Sequence, residues 1–366
     1  MKAAIRADAS RLIGSGHVMR CLTLADRLRQ RRQAEVVFLC REHDGNLIAY
    51  IRERGYEVFV LPEPAATGSR NEDERPPAHA HWLGAHWAED AEQTIACLPR
   101  LGRNGKIDWL VVDHYALDSR YEEKVRPYVG KLMAIDDLAD RPHDCDLLLD
   151  QNLDPDAGAR YGGLIAPGTR LLVGPMFALL REEFAELRRR VRRDGSVRRL
   201  LVSFGGIDAT GETVKALQAL QSMPEEDWAV TVLAGKSNPN AERIAEFCDG
   251  LPNARFFRHA ENVAELMLEA DAAVGAGGSS TWERCCLGLP SLIVTTASNQ
   301  IELTERVAQT GAVQWLGPSE EVGPDVIREA LLTLRRHPGT VLRMSARAME
   351  LTDGLGADRI VEELVR

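Results

Sequence analysis

The chain has 366 residues, 45% of them hydrophobic and 27% charged, with a formal net charge of −10. That length exceeds the size at which one core keeps growing, so two domains are expected. The acidic balance argues against DNA or RNA as main partner, whereas a small nucleotide needs only a few local donors.

In chain order, a first strand at 2–8 runs into Gly14-Ser15-Gly16-His17 and then a helix. Val18, Cys21, Leu22, Ala25 and Leu28 recur there at helical spacing, so one face packs inward. His17 thus stands in a first helical turn at the carboxyl end of a sheet, where α/β proteins place ligands. Gly14 and Gly16 let a ligand approach the backbone closely. The helix N-terminus favours a neutral imidazole, so His17 is either a base or a mere cap. Asp8, at the end of the strand, either orients His17 or its water, or pairs with Arg6 or Arg20.

Further strands are expected at 34–40, 57–61, 107–112, 131–136, 146–149 and 170–174. A Pro-rich loop insertion covers 62–81. His79, His81 and His86 follow a spacing that fits no common metal site, so no metal is expected. Asp113-His114-Tyr115 and Asp136-Asp137 come directly after strands, where polar residues become functional in open α/β sheets. The stretch 181–198, rich in arginine and ending near Gly195, reads as a solvated helix end and linker.

A second series of strands is expected at 199–204, 229–234, 254–257, 271–275, 290–294 and 312–316. Such apolar βαβ alternation predicts two Rossmann-like α/β domains with parallel sheets, at 1–180 and 199–350. A last helix at 351–366 is placed to return to the first domain. Gly205-Gly206 with Asp208 forms either a ligand-facing turn or a tight turn in which Asp208 caps the next helix. Gly235-Lys236-Ser237-Asn238 ends the next strand similarly. The run Gly275-Ala276-Gly277-Gly278-Ser279-Ser280-Thr281-Trp282-Glu283 follows a strand and opens a helix. Free backbone N–H groups and three hydroxyls there suit a phosphate, and Glu283 suits a ribose diol. The alternative is a serine-capped helix with Glu283 completing a capping box on Ser280.

Seven cysteines without a CxxC pair read as reduced buried thiols. No apolar run approaches ~18 residues and no signal-peptide core is present, so a cytoplasmic protein without membrane span is expected.

With these residues assembled, the chain resembles the PseG family of pseudaminic-acid pathway hydrolases, relatives of the MurG glycosyltransferases. The resemblance is nearly residue for residue over Arg6–Leu22. It continues through Asp113-His114-Tyr115, Asp136-Asp137, Cys145–Leu149, Gly174–Phe184, Gly205–Asp208, Ser237–Asn240, Glu261–Met267 and Asn299-Gln300. It implies a GT-B fold, two domains facing a central cleft. The implied reaction is hydrolysis of UDP-2,4-diacetamido-2,4,6-trideoxy-β-L-altropyranose to UDP and free sugar, with inversion and without metal or other cofactor. His17 is then the residue that activates water, with Asp8 as a possible aid and Tyr115 lining the sugar site. Gly14, Gly16, Asp113, Asp137, Gly205, Gly206, Asn299 and Gln300 are the remaining substrate contacts. UDP falls to Gly277, Gly278, Ser279, Ser280, Thr281 and Glu283, with uracil near Arg258 to Val263. The partners are that UDP-sugar and water, and the protein is expected as a monomer or weak oligomer. A MurG-like glycosyltransferase and a non-catalytic nucleotide-sugar binding protein are the alternatives, with a UDP-sugar 2-epimerase more remote.

Overall fold

Each of the thirteen apolar runs becomes a strand, and each pairing between them is parallel. The computed structural model describes residues 1–63, 76–101, 106–224, 227–235 and 238–366. Most of the expected 62–81 insertion and the pair Lys236-Ser237 lie outside the described residues. The chain divides into two units, Met1–Leu179 with Ala357–Arg366, and Leu180–Gly356.

The first unit holds β1 (Lys2–Ala7), β2 (Glu35–Arg41), β3 (Glu57–Leu61), β4 (Ile107–Asp113), β5 (Val129–Ile135), β6 (Leu147–Asp150) and β7 (Arg170–Val173). Their order is β3-β2-β1-β4-β5-β6-β7. Chain direction across the sheet therefore reverses between β1 and β4, the crevice where open α/β sheets carry their sites. In register, Ala7 lies beside Asp113, so whatever follows β1 meets whatever ends β4. The strands are buried on both faces, which is why they read as near-continuous apolar runs rather than alternating ones.

Helix Gly16–Arg32 covers one face through Val18, Cys21, Leu22, Leu24, Ala25 and Leu28. Arg29, Arg31 and Arg32 fill its last turn, the end at which the dipole favours cations. The C-terminal helix Gly356–Leu364 packs on the same core through Ala357, Ile360, Val361 and Leu364. Its Leu364 carbonyl accepts a hydrogen bond from the Trp109 indole at 2.8 Å.

The second unit holds β8 (Arg199–Ser203), β9 (Ala229–Leu233), β10 (Ala254–Phe257), β11 (Ala272–Ala276), β12 (Ser291–Thr295) and β13 (Val313–Pro318). Their order is β10-β9-β8-β11-β12-β13, so the same reversal falls between β8 and β11. The basic stretch before β8 is not all solvated. Residues Glu182–Arg188 form a helix of this unit. Arg188 donates to the carbonyls of Cys286 and Met349, and Arg193 to those of Met267, Ala270 and Leu287. These are carbonyls at helix ends, where a guanidinium satisfies groups that the helix itself leaves unpaired.

Candidate active site

Gly14 adopts φ +80°, a conformation that side chains disfavour, and its N–H bonds the Ser10 carbonyl at 2.8 Å. This turn delivers Ser15 as N-cap and puts His17 in the first turn of the helix. Across the reversal point, His17 Nδ1 lies 2.5 Å from Asp113 Oδ1. Asp113 is fully buried, and Arg20 grips it with Nε to Oδ2 at 2.6 Å and Nη2 to Oδ1 at 2.7 Å. Burial opposes ionisation of Asp113, but Arg20 and then His17 outweigh it and hold the carboxyl well below the usual range. An ionised Asp113 only accepts, so Nδ1 carries the ring proton and Nε2 is left with the lone pair. The ring is thereby held in one orientation by Asp113.

Asp113 was expected to contact substrate, and Asp8 to assist His17. The geometry gives both carboxylates partners within the protein. Asp113 is enclosed by His17, Arg20 and the Cys21 thiol, so its contacts are with the site's own side chains. Asp8 is fully buried beneath, 2.7 Å from Arg6 Nη1, and accepts from the Arg41 amide at 2.7 Å. Of the two readings of Asp8, the Arg6 pair is the one formed.

Tyr115 places its ring edge-on to His17, centroids 4.5 Å apart, and its hydroxyl donates to Asp137 Oδ2 at 2.7 Å. Burial first, and then the Asp137 carboxylate, push the phenol well above its ordinary value, so it stays a donor. Arg20 also bonds Asp137, closing a chain from His17 through Asp113, Arg20 and Asp137 to Tyr115. Two parts of the site escaped the sequence reading. Arg20 lies one turn after His17 on the same helix face, and that spacing was available. Trp82, stacked on Tyr115 at 5.8 Å and 6.5 Å from His17, comes from the end of the irregular segment after residue 76. His79 packs edge-on to Trp82 at 4.5 Å.

Beside this chain, Asp150 is buried at the end of β6, where Tyr161 donates to it at 3.0 Å. Burial first, and then Asp137, raise its carboxyl to about 7. A carboxyl that titrates higher folded than unfolded (about 3.9 in the open chain) costs stability as it ionises. The cost begins above the unfolded value and is complete above about 7. Asp150→Asn is therefore expected to flatten the fall in melting temperature between about pH 5 and about pH 8. An unchanged slope in thermal melts would contradict the assignment.

In the second unit, β11 leads into Gly277-Gly278-Ser279 and helix Ser280–Cys286. A Cβ on Gly277 would stand 2.3 Å from Thr304 Oγ1, so only glycine lets helix Ile301–Gln309 pack against this loop. Gly278 faces open space and Ser279 is exposed. The capping box does not form: Ser279 makes no side-chain cap, and Ser280 Oγ accepts from Arg284 at 2.9 Å. Glu283 is half-buried, and burial raises its carboxyl above the ordinary value against the pull of Arg181 and Arg284.

After β8, the Gly205-Gly206 turn follows its capping alternative. The Asp208 carboxylate accepts from the amides of Glu212 and Thr213, each at 2.9 Å, and so occupies the start of helix Glu212–Gln221. Gln300 accepts from the Thr296 amide at 3.0 Å, while Asn299 is exposed. Arg258 is exposed and pairs with Glu242 at 3.0 Å, and Val263 opens helix Val263–Glu269. Among the described residues, no helix is long and apolar enough to cross a membrane.

Residues 204–360, which include both turns of the second unit, match the glycosyltransferase family 28 C-terminal domain. The family 28 match begins at the turn after β8 and ends within the last helix. Beyond that domain, the chain is 27% identical over 315 residues to the UDP-2,4-diacetamido-2,4,6-trideoxy-beta-L-altropyranose hydrolase of Campylobacter jejuni, covering 85% of this chain and 97% of that protein. It is 23% identical to the spore coat polysaccharide biosynthesis protein SpsG of Bacillus subtilis, over 98% of this chain and 96% of that one. The crystal structure of Acinetobacter baumannii MurG superposes with TM-score 0.68 at 13% identity, covering 100% of this chain and 99% of MurG. The fold is therefore that of the GT-B glycosyltransferases, and the resemblance to the PseG hydrolases extends over most of the chain.

Proposed function

We propose that this protein is a metal-independent hydrolase that cleaves UDP-2,4-diacetamido-2,4,6-trideoxy-β-L-altropyranose to UDP and the free sugar, a step of pseudaminic acid biosynthesis for a flagellin or surface glycan. The observation that carries the reading is the hydrogen bond from His17 to buried Asp113, which leaves Nε2 as the proton acceptor at the sheet's reversal point. The likeness to the Campylobacter jejuni hydrolase over 85% of the chain supports the substrate class.

The chemistry requires little else. UDP leaves as a diphosphate whose second ionisation lies near ~6, so no strong general acid is needed. His17 Nε2 takes a proton from water as its oxygen attacks the anomeric carbon and the C–O bond to UDP breaks, which inverts that carbon. Asp113, held by Arg20, keeps the proton on Nδ1 and stabilises the imidazolium that forms. Tyr115 and Trp82 give the sugar an aromatic wall, and Asp137 a polar contact. The loop Gly277-Gly278-Ser279 offers amides to the departing diphosphate, with Glu283 assigned to the ribose.

A glycosyltransferase reading is favoured by the family 28 domain and the MurG fold. Incubating the protein with the UDP-sugar, with and without a sugar acceptor, separates the two. We expect UDP and reducing sugar in equal amounts without acceptor; release that depends on acceptor would establish the transferase instead.

A further inference from the structure

Among the described residues, three buried guanidinium groups are matched to buried carboxylates. Arg6 meets Asp8 and Asp90, Arg41 meets Asp90, and Arg141 meets Asp136. Arg284, like the half-buried Arg193, has only neutral oxygens as partners. It is 2% exposed, and its bonds go to neutral oxygens: Ser280 Oγ at 2.9 Å, Ala276 O at 2.8 Å and Thr281 Oγ1 at 3.1 Å. Its Nε finds no acceptor. The side chain runs back along its helix, as helical side chains do, so the charge sits under the loop that joins β11 to the helix. That is the end at which a helix repels cations. A buried cation without an ion-pair partner is costly to keep. A second group points to the same place. Thr304 Oγ1 is buried without a partner and aimed at Gly277.

We propose that Arg284 is a positioning residue for the diphosphate of the nucleotide, its charge left without an ion-pair contact in the protein because the bound anion offsets it. This rests on the reading that the Gly277–Thr281 loop holds UDP. By donating to the partly exposed Ser280 Oγ, Arg284 takes up a lone pair of that hydroxyl and leaves its proton for a phosphate oxygen, while its bond to buried Thr281 Oγ1 holds the guanidinium in place. Its own charge adds to the field at the loop without touching the ligand. Thr304 supplies a further hydroxyl from the neighbouring helix. Burial pushes the guanidinium down only to about 10, so the charge is present at neutral pH.

The test is calorimetric titration of UDP and of uridine into the wild type, Arg284→Met and Arg284→Lys, with thermal melts of each protein without ligand. Arg284→Met is expected to bind UDP roughly 10- to 100-fold more weakly, the range for losing a residue that orients the groups in contact with a ligand. Uridine affinity should stay unchanged, and the unliganded variant should melt at or above the wild type, because a buried charge without an ion-pair partner has been removed. Arg284→Lys keeps the charge and should recover part of the UDP affinity, which preserves the test if the methionine variant fails to fold. Unchanged UDP affinity in Arg284→Met, or a parallel loss of UDP and uridine binding with a lower melting temperature, would overturn the proposal. A wild type that does not bind UDP would instead overturn the site reading on which it rests.

Discussion

A folded His17→Ala protein is expected to lose turnover by roughly 10²- to 10⁴-fold, the usual contribution of a positioned general base, while binding UDP as tightly as the wild type. The two readouts separate because the imidazole belongs to the first unit and the proposed nucleotide loop to the second. His17→Asn should behave alike, since an amide keeps a polar side chain at the position but accepts no proton at neutral pH. Turnover is checked by UDP release and affinity by calorimetry. Substantial hydrolysis by either variant would remove His17 from the role of base. Loss of UDP affinity in step with turnover would show that it serves binding instead.

The second large effect is expected at Asp113. In Asp113→Asn, the new amide can donate to His17 Nδ1, which moves the ring proton to Nε2 and leaves no lone pair toward water. Turnover should fall by about 10²- to 10⁴-fold, as for loss of the base itself. The nearly isosteric side chain keeps the volume of the site, but Arg20 loses one of its two carboxylate partners. A stability cost of about 1–3 kcal/mol is expected from that unmatched bonding. The loss of activity should persist at every pH where the melts show a folded protein, because a wrong tautomer is not repaired by deprotonation. Near-normal turnover in a folded Asp113→Asn would mean that Asp113 only anchors Arg20.

The sheets were legible because parallel strands buried on both faces leave unbroken apolar runs, and helices between them leave a 3.6-residue pattern. β5 starts two residues earlier than expected, at Val129, because Gly130 interrupts the apolar run that marks it. His17 was legible for a local reason: a glycine turn after a strand and an inward-facing helix behind it. Its partner was harder to see. Asp113 lies 96 residues away, and only the neighbouring of β1 and β4 brings the two together. Once the strand order is known, the polar residue ending β4 is the one facing whatever follows β1, and Asp8 points to Arg6 instead. Arg284 was hidden for the opposite reason. Its burial depends on contacts with Ala276, Ser280 and Thr281 that no periodicity announces. Asp208 shows what a glycine turn by itself leaves open, since capping and ligand binding use the same residues.

Hydrolysis of the altrose-configured UDP-sugar in ¹⁸O-water, without acceptor and followed by NMR and mass spectrometry, tests the central claim most directly. Attack by a water that His17 activates places the label on the anomeric oxygen of the released sugar, with the inverted anomer formed first and UDP unlabelled. Label in the UDP phosphate, or a first-formed sugar of retained configuration, would contradict it.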